Sequence, residues 1–201
     1  MSINLLELAA QAMAPGVVDQ ISKKLGMDNG TARNAITSAL PIIISAMSKN
    51  AGSKRGADSL FKAVQTKHNG SILDNLGGLI SSPEQGEGNG ILRHLLGNKR
   101  PMVERNVGQS TGANPMQISK VLQILAPIVL AVIGRNLVQK KQMNSGGIAD
   151  VLKNTTDQLQ RKAPKEVSII EKVLDSNQDG RMFDDVANIG MKLLGGFLSR
   201  R

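Results

Sequence analysis

The sequence predicts an all-α, multihelical protein built from two copies of one helical unit, and three observations lead there. The first is composition. The 201 residues include no Trp, no Tyr and only three Phe (Phe61, Phe183, Phe197), so a core must be filled by Leu, Ile, Val, Ala and the nine Met. Such side chains suit close helix packing, with Met as an adaptable filler, whereas sheets draw on aromatic and β-branched residues. The second is period. Ala32, Ala35, Ile36, Ala39, Leu40, Ile43 and Met47 follow the i, i+3, i+4, i+7 spacing of an amphipathic helix. The third is repetition. Leu25-Gly26-Met27, Ile36, Leu40-Pro41-Ile42-Ile43-Ile44 and Asn50 reappear as Thr111-Gly112-Ala113, Leu122, Ala126-Pro127-Ile128-Val129-Leu130 and Asn136. Prolines 41 and 127 set the offset at 86, and Gly56-Ala57-Asp58 has a looser echo in Gly147-Ile148-Ala149-Asp150. An internal duplication of this length predicts two like units packed together. Three segments follow: a first helical repeat over 1–80, a second over 90–170, and an Asp/Gly loop with a C-terminal helix over 171–201.

Each element has its own signal. Residues 3–14 carry Leu5, Leu6, Leu8, Ala9 and Ala12 on one side behind a Ser2 or Asn4 cap and stop near Pro15-Gly16. Residues 17–25 form a second helix that ends at Gly26, and the long helix after it starts at Asn29 or Thr31. Pro41 lies inside that helix, where it deletes a backbone hydrogen bond and should kink or divide it; Pro127 repeats the event. Residues 49–57 are polar and Gly-rich and read as a loop, followed by helices over 57–65 and 72–80. Residues 81–89, with Pro83, Gly86 and Gly88, make the linker between copies. Helices over 90–96, 101–108, 115–139 and 148–160 build the second copy, and Pro164 interrupts it. Residues 167–174 lead into the Asp175 to Gly180 turn, and 182–198 form the last helix.

Charge narrows the choice of partners. The formal net charge is +9, and the surplus sits in the middle: residues 88–142 hold eight Lys or Arg against the single acid Glu104. A polyanion, nucleic acid or an anionic membrane surface, is one reading. The other is that spaced cations solvate helical surfaces. Cysteine is absent, so disulfides, thiolate metal sites and a cysteine nucleophile are excluded. Glu7 inside the first apolar stretch argues against a signal peptide, and the apolar run 122–133 falls short of the roughly twenty residues a bilayer demands. These features predict a soluble, cytoplasmic protein.

Two motifs can carry function. In each repeat a short helix, a turn glycine and a second helix resemble a helix-turn-helix, whose second helix reads bases in the major groove. Arg33, Asn34, Gln117 and Lys120 would do the reading, with Lys140 and Lys141 on phosphates. The same glycine serves any helical hairpin, and both second helices run into apolar segments, which marks them as core elements. The other motif is Asp175-Ser176-Asn177-Gln178-Asp179-Gly180-Arg181, which opens like a calcium loop. Asp175, Asn177, Asp179, the Arg181 carbonyl and Asp185 would be the ligands of a weak calcium site. Val186 stands where a bidentate Glu should close the shell, so the preferred reading is a turn whose acids favour the start of the last helix. His68 and His94 are far apart in sequence, and no nucleophile elbow, phosphate-cradling loop or HExxH pattern is present. No enzyme and no cofactor are expected.

Gly90-Ile91-Leu92-Arg93-His94-Leu95-Leu96-Gly97, then Gln109-Ser110-Thr111-Gly112-Ala113 and Leu122 to Gly134, resemble the bacterial YidB-like family, whose members carry a domain of unknown function. The resemblance is specific over roughly 90–134 and fainter over 17–50. It implies a multihelical fold with homeodomain-like helical arrangements and brings no activity and no functional residues. The expected function is therefore binding, to itself or to another protein. DNA binding through the paired hairpins and basic middle is the runner-up, and membrane-surface association through residues 190–201 is third.

Overall fold

The structure, a computed structural model, describes residues 15–67, 70–83 and 86–162, and among them every regular element is helical. The chain runs through α1 (Pro15–Leu25), α2 (Asn29–Ala51), α3 (Lys54–Lys67), a 3-10 turn (Ser71–Asp74), α4 (Leu76–Ser81) and α5 (Gly88–Leu96). A second 3-10 turn (Gly97–Lys99), α6 (Arg100–Thr111), α7 (Pro115–Gln139) and α8 (Ser145–Lys162) follow. The expected helices over 3–14 and 182–198 lie outside the described residues.

Local chemistry sets the ends of the two long helices. Gly26, at φ 62°, closes α1 while the Met27 amide donates back to the Ser22 carbonyl at 3.1 Å, and Gly112, at φ 79°, closes α6 with its own amide on the Gly108 carbonyl at 3.0 Å. Both are left-handed glycine stops. Two residues later comes an N-cap. The Asp28 side chain accepts from the Thr31 amide at 2.9 Å, and Asn114 exchanges hydrogen bonds with Gln117 in a full capping box. Stop, cap and interior proline thus recur with equal spacing in α1–α2 and α6–α7.

Asp28 makes the first cap sensitive to acid. Its carboxyl is held below the usual Asp range, chiefly by the hydrogen bond from the Thr31 hydroxyl and then by that from the Thr31 amide. A depressed folded-state pKa stabilises the fold above the unfolded value of 3.8, and the contribution fades as pH falls through the folded value. Asp28→Asn should therefore flatten the acid limb of a plot of Tm against pH below about 4. Asn114→Ala should cost about 1 kcal/mol at any such pH.

α2 and α7 form the centre. Residues 35–47 of α2 and 124–134 of α7 are buried without interruption, the mark of helices surrounded by others. The two pack on each other, and their surroundings are reciprocal: α2 touches α6 and α8, while α7 touches α1 and α3. α5 lies across α7 and reaches α2. One apolar cluster takes in residues from Val17 to Leu159, so both halves feed a single core.

Three sequence expectations need correction. Neither proline divides its helix; Pro41 and Pro127 sit inside continuous α2 and α7. The loop expected over 49–57 is only Gly52-Ser53, because the glycines serve close approach and not slack. A Cβ on Gly56 would fall 1.9 Å from the Asn50 carbonyl oxygen, and the Gly56 amide donates to Ser53 Oγ at 3.0 Å to start α3. The helix expected over 72–80 is broken at Asn75, whose backbone leaves the helical region (φ -139°, ψ 57°) and whose side-chain cap on the Gly78 amide restarts the chain as α4.

Candidate functional site

The predicted base-reading residues occupy the starts of the two central helices. Arg33 is exposed and Asn34 half-buried on α2, which then disappears into the core at Ala35. Gln117 is half-buried and its carboxamide is engaged: Oε1 accepts from the Asn114 amide, and Nε2 donates to the carbonyls of Leu25 at 3.0 Å and Gly26 at 3.3 Å. It ties the start of α7 to the end of α1. Lys120 is half-buried one turn on, while Lys140 caps the far end of α7 and Lys141 takes a left-handed φ of 54° beside it, both exposed. At 1.5 Å per residue, Lys140 lies roughly 35 Å along the axis from Gln117. The structure does not gather these six side chains into one patch.

Two cations of the basic middle hold the fold together. Arg100 places Nε on Glu104 at 2.6 Å, Nη2 on Ser119 Oγ at 2.8 Å and Nη1 on Asn89, joining α5, α6 and α7. Arg135 reaches from α7 to Asp74 at 2.7 Å and to the Gly70 carbonyl at 3.0 Å. The calcium-loop residues Asp175, Asn177, Asp179, Arg181 and Asp185 lie outside the described residues, as does His68. Among the described residues no three His, Cys, Asp or Glu cluster as metal ligands would.

Two of the concavities among the described residues meet at α5. Between α3 and α5 runs an apolar groove of about 400 Å³, with Leu60 and Ala63 on one wall, Ile91 and Leu95 on the other and Leu130 of α7 as floor. Glu87, Ser59 and His94 edge it. Beyond His94 and Leu95 a second concavity of about 470 Å³ opens, formed by the last turns of α2, the α2–α3 turn and the end of α5. Lys49, Asn50 and Ser53 face Lys99 and His94 across it. Gly97, at φ 52°, turns the chain so that Lys99 comes back over the end of α2. The Lys99 ammonium is pushed below the usual lysine range, first by burial and then by the like charge of Lys49. Sequence reasoning missed both lysines. Lys49 lies in the last turn of α2 and Lys99 in the 3-10 turn after α5, places where spaced cations read as ordinary surface.

One helix among the described residues, α7, is long and apolar enough to cross a membrane by length and composition, with a mean hydropathy of 2.0 over its best window. Inside the fold 83% of that window is buried by the neighbouring helices.

A family model described as "Bacterial protein of unknown function (DUF937)" matches residues 7–136. The chain belongs to this bacterial family. The match covers both stretches of YidB-like resemblance and runs through the linker between the halves. It takes in α1 to α6 and nearly all of α7, and it stops short of α8 and of Lys140-Lys141. Lys49, Lys99 and the groove residues all fall within it. No curated protein and no solved structure matches the chain.

Proposed function

We propose that this member of the family is a non-enzymatic cytoplasmic protein that acts by binding protein chains, a second copy included, through the groove between α3 and α5. The observation that carries the reading is the groove itself. Four apolar side chains from two helices line an open channel over Leu130, with polar groups at its edge, which is the arrangement that accepts one face of an amphipathic helix. The central helices α2 and α7 are consumed by the core. Their equal spacing of glycine stop, cap and proline, and their reciprocal neighbours, support descent of the two halves from one duplicated unit.

Sedimentation velocity across a concentration series tests self-association, and cross-linking in a bacterial lysate extends the test to other chains. Ile91→Asp and Leu95→Asp place a charge in the groove and should each abolish the association, while circular dichroism confirms an intact helical fold. Association that survives both substitutions in folded protein would refute the groove. DNA binding is the second reading, supported by the exposed positions of Arg33, Lys140 and Lys141.

A further inference from the structure

Small residues widen the groove between α3 and α5. Ala63 on one helix and Gly90 on the other leave space among Leu60, Ile91 and Leu95 for a larger side chain to enter over Leu130. The buried positions of the described core hold no Phe. Two of the three phenylalanines, Phe183 and Phe197, lie beyond α8, in the stretch 182–198 whose spacing predicts a helix. Phe183, Val186, Gly190, Leu193 and Phe197 follow at i, i+3, i+7, i+10 and i+14, a single stripe without a charge on it. Charge matches as well. The α3 rim of the groove continues through Ser59 into an exposed patch of Lys54, Arg55 and Lys62 against the single acid Asp58. Asp184 and Asp185 fall on opposite flanks of the stripe at a spacing of 100° per residue, so with Phe183 in the groove one of them stands over that rim whichever way the helix runs. Reach is sufficient. α8 packs on α3, one wall of the groove, and residues 163–181 can span up to about 60 Å. Residues 3–14, the other apolar segment outside the described residues, join α1 without such a linker, and α1 packs on α2, α4 and α7.

We propose that the C-terminal segment 182–198 of the same chain occupies the groove, with Phe183 and Val186 seated over Leu130 and one of Asp184 and Asp185 on Arg55 and Lys62. The proposal rests on the reading of the groove as a seat for one face of a helix. Tethering sets the local concentration of the segment on the order of mM, so it is a built-in competitor. Another chain enters the groove only by displacing it.

A nitroxide on a single cysteine, introduced into the full chain that otherwise has none, reads the occupant directly. Arg93→Cys puts it on an exposed position of α5 outside the groove lining. The amide signals of residues 183–190 should broaden, and equally at every protein concentration. Phe183→Asp should abolish the broadening without loss of the helical fold. Arg55→Glu with Lys62→Glu should weaken it, and adding Asp184→Lys with Asp185→Lys to that pair should restore it. In sedimentation velocity Phe183→Asp should tighten association through the groove about tenfold or more, equivalent to about 1.4 kcal/mol or more, within what burying a Phe contributes. Absence of broadening over 183–190 overturns the proposal. So does broadening over residues 3–14 in its place, or broadening seen only when isotope-labelled chains are mixed with nitroxide-carrying ones, which makes a second copy the occupant. The two readings of the groove fail differently. If no variant associates with any chain and the broadening stands, binding of other chains is refuted and the occupant holds. Association that Ile91→Asp abolishes and Phe183→Asp leaves unchanged, with no broadening, removes the occupant alone.

Discussion

Gly88→Ala should destabilise this protein by about 3 kcal/mol, the upper part of the range for forcing a methyl into a packed contact. A Cβ on Gly88 would lie 1.9 Å from the Gln123 carbonyl oxygen, with the carbonyl carbon and Cα of Gln123 within 2.8 Å. Those atoms are main chain of the central helix α7 and cannot swing aside, so α5 would have to lift off. The site has a particular logic. Gln123 stands four residues before Pro127, which has no N–H to give that carbonyl its helical hydrogen bond. Gly88 brings a Cα against the oxygen so freed, a contact of the weak Cα–H···O kind. For a chain of this size the loss corresponds to a Tm drop of roughly 6–12 °C. Gly90→Ala is the matched control, two residues along the same helix. Nothing lies within 4 Å of its would-be Cβ, and exchanging glycine for alanine in a helix should stabilise by about 0.5–1 kcal/mol. Opposite signs at positions 88 and 90 in thermal melts are the expected result. A Gly88→Ala melt within about 1 °C of wild type would remove the close crossing.

The helices were legible because their signals are local. The 115–139 helix is readable from its Asn-Pro start and its long apolar run, and α1 from its glycine stop. What the sequence could not show is which glycines are slack and which are contacts. Gly56 and Gly88 look like linker residues beside Ser53 and Pro83, yet both carry helix crossings, because a missing side chain permits close approach as readily as it permits freedom. The candidate sites were less legible still. Lys49 and Lys99 are fifty residues apart in sequence, and only the packing of α5 across the end of α2 makes them neighbours. Conversely, Gln117 reads as an exposed base-contacting residue on a hairpin's second helix. It becomes a cap once the end of α1 lies within reach of its Nε2.

Leu122→Ala should cost about 3–4 kcal/mol, within the range measured for burying a cavity of this kind in a close-packed core. Leu122 is fully buried on α7. Its counterpart by the 86-residue offset is Ile36 on α2, 4% exposed. Few aromatic rings are available to collapse into the space, and neighbouring Leu, Ile and Val sit on helices held by several partners, so relaxation should recover little of the loss. Met116, 71% exposed, is the comparison: Met116→Ala should fall within about 0.5 kcal/mol of wild type. The same experiment decides whether the halves over 1–80 and 90–170 fold as independent units. If one core serves both, Leu122→Ala and Ile36→Ala should each shift a single cooperative unfolding transition, seen equally by circular dichroism and calorimetry. Two separable transitions, of which Leu122→Ala moves only one, would instead make the halves independent domains. The apolar cluster running from α1 to α8 favours the single transition.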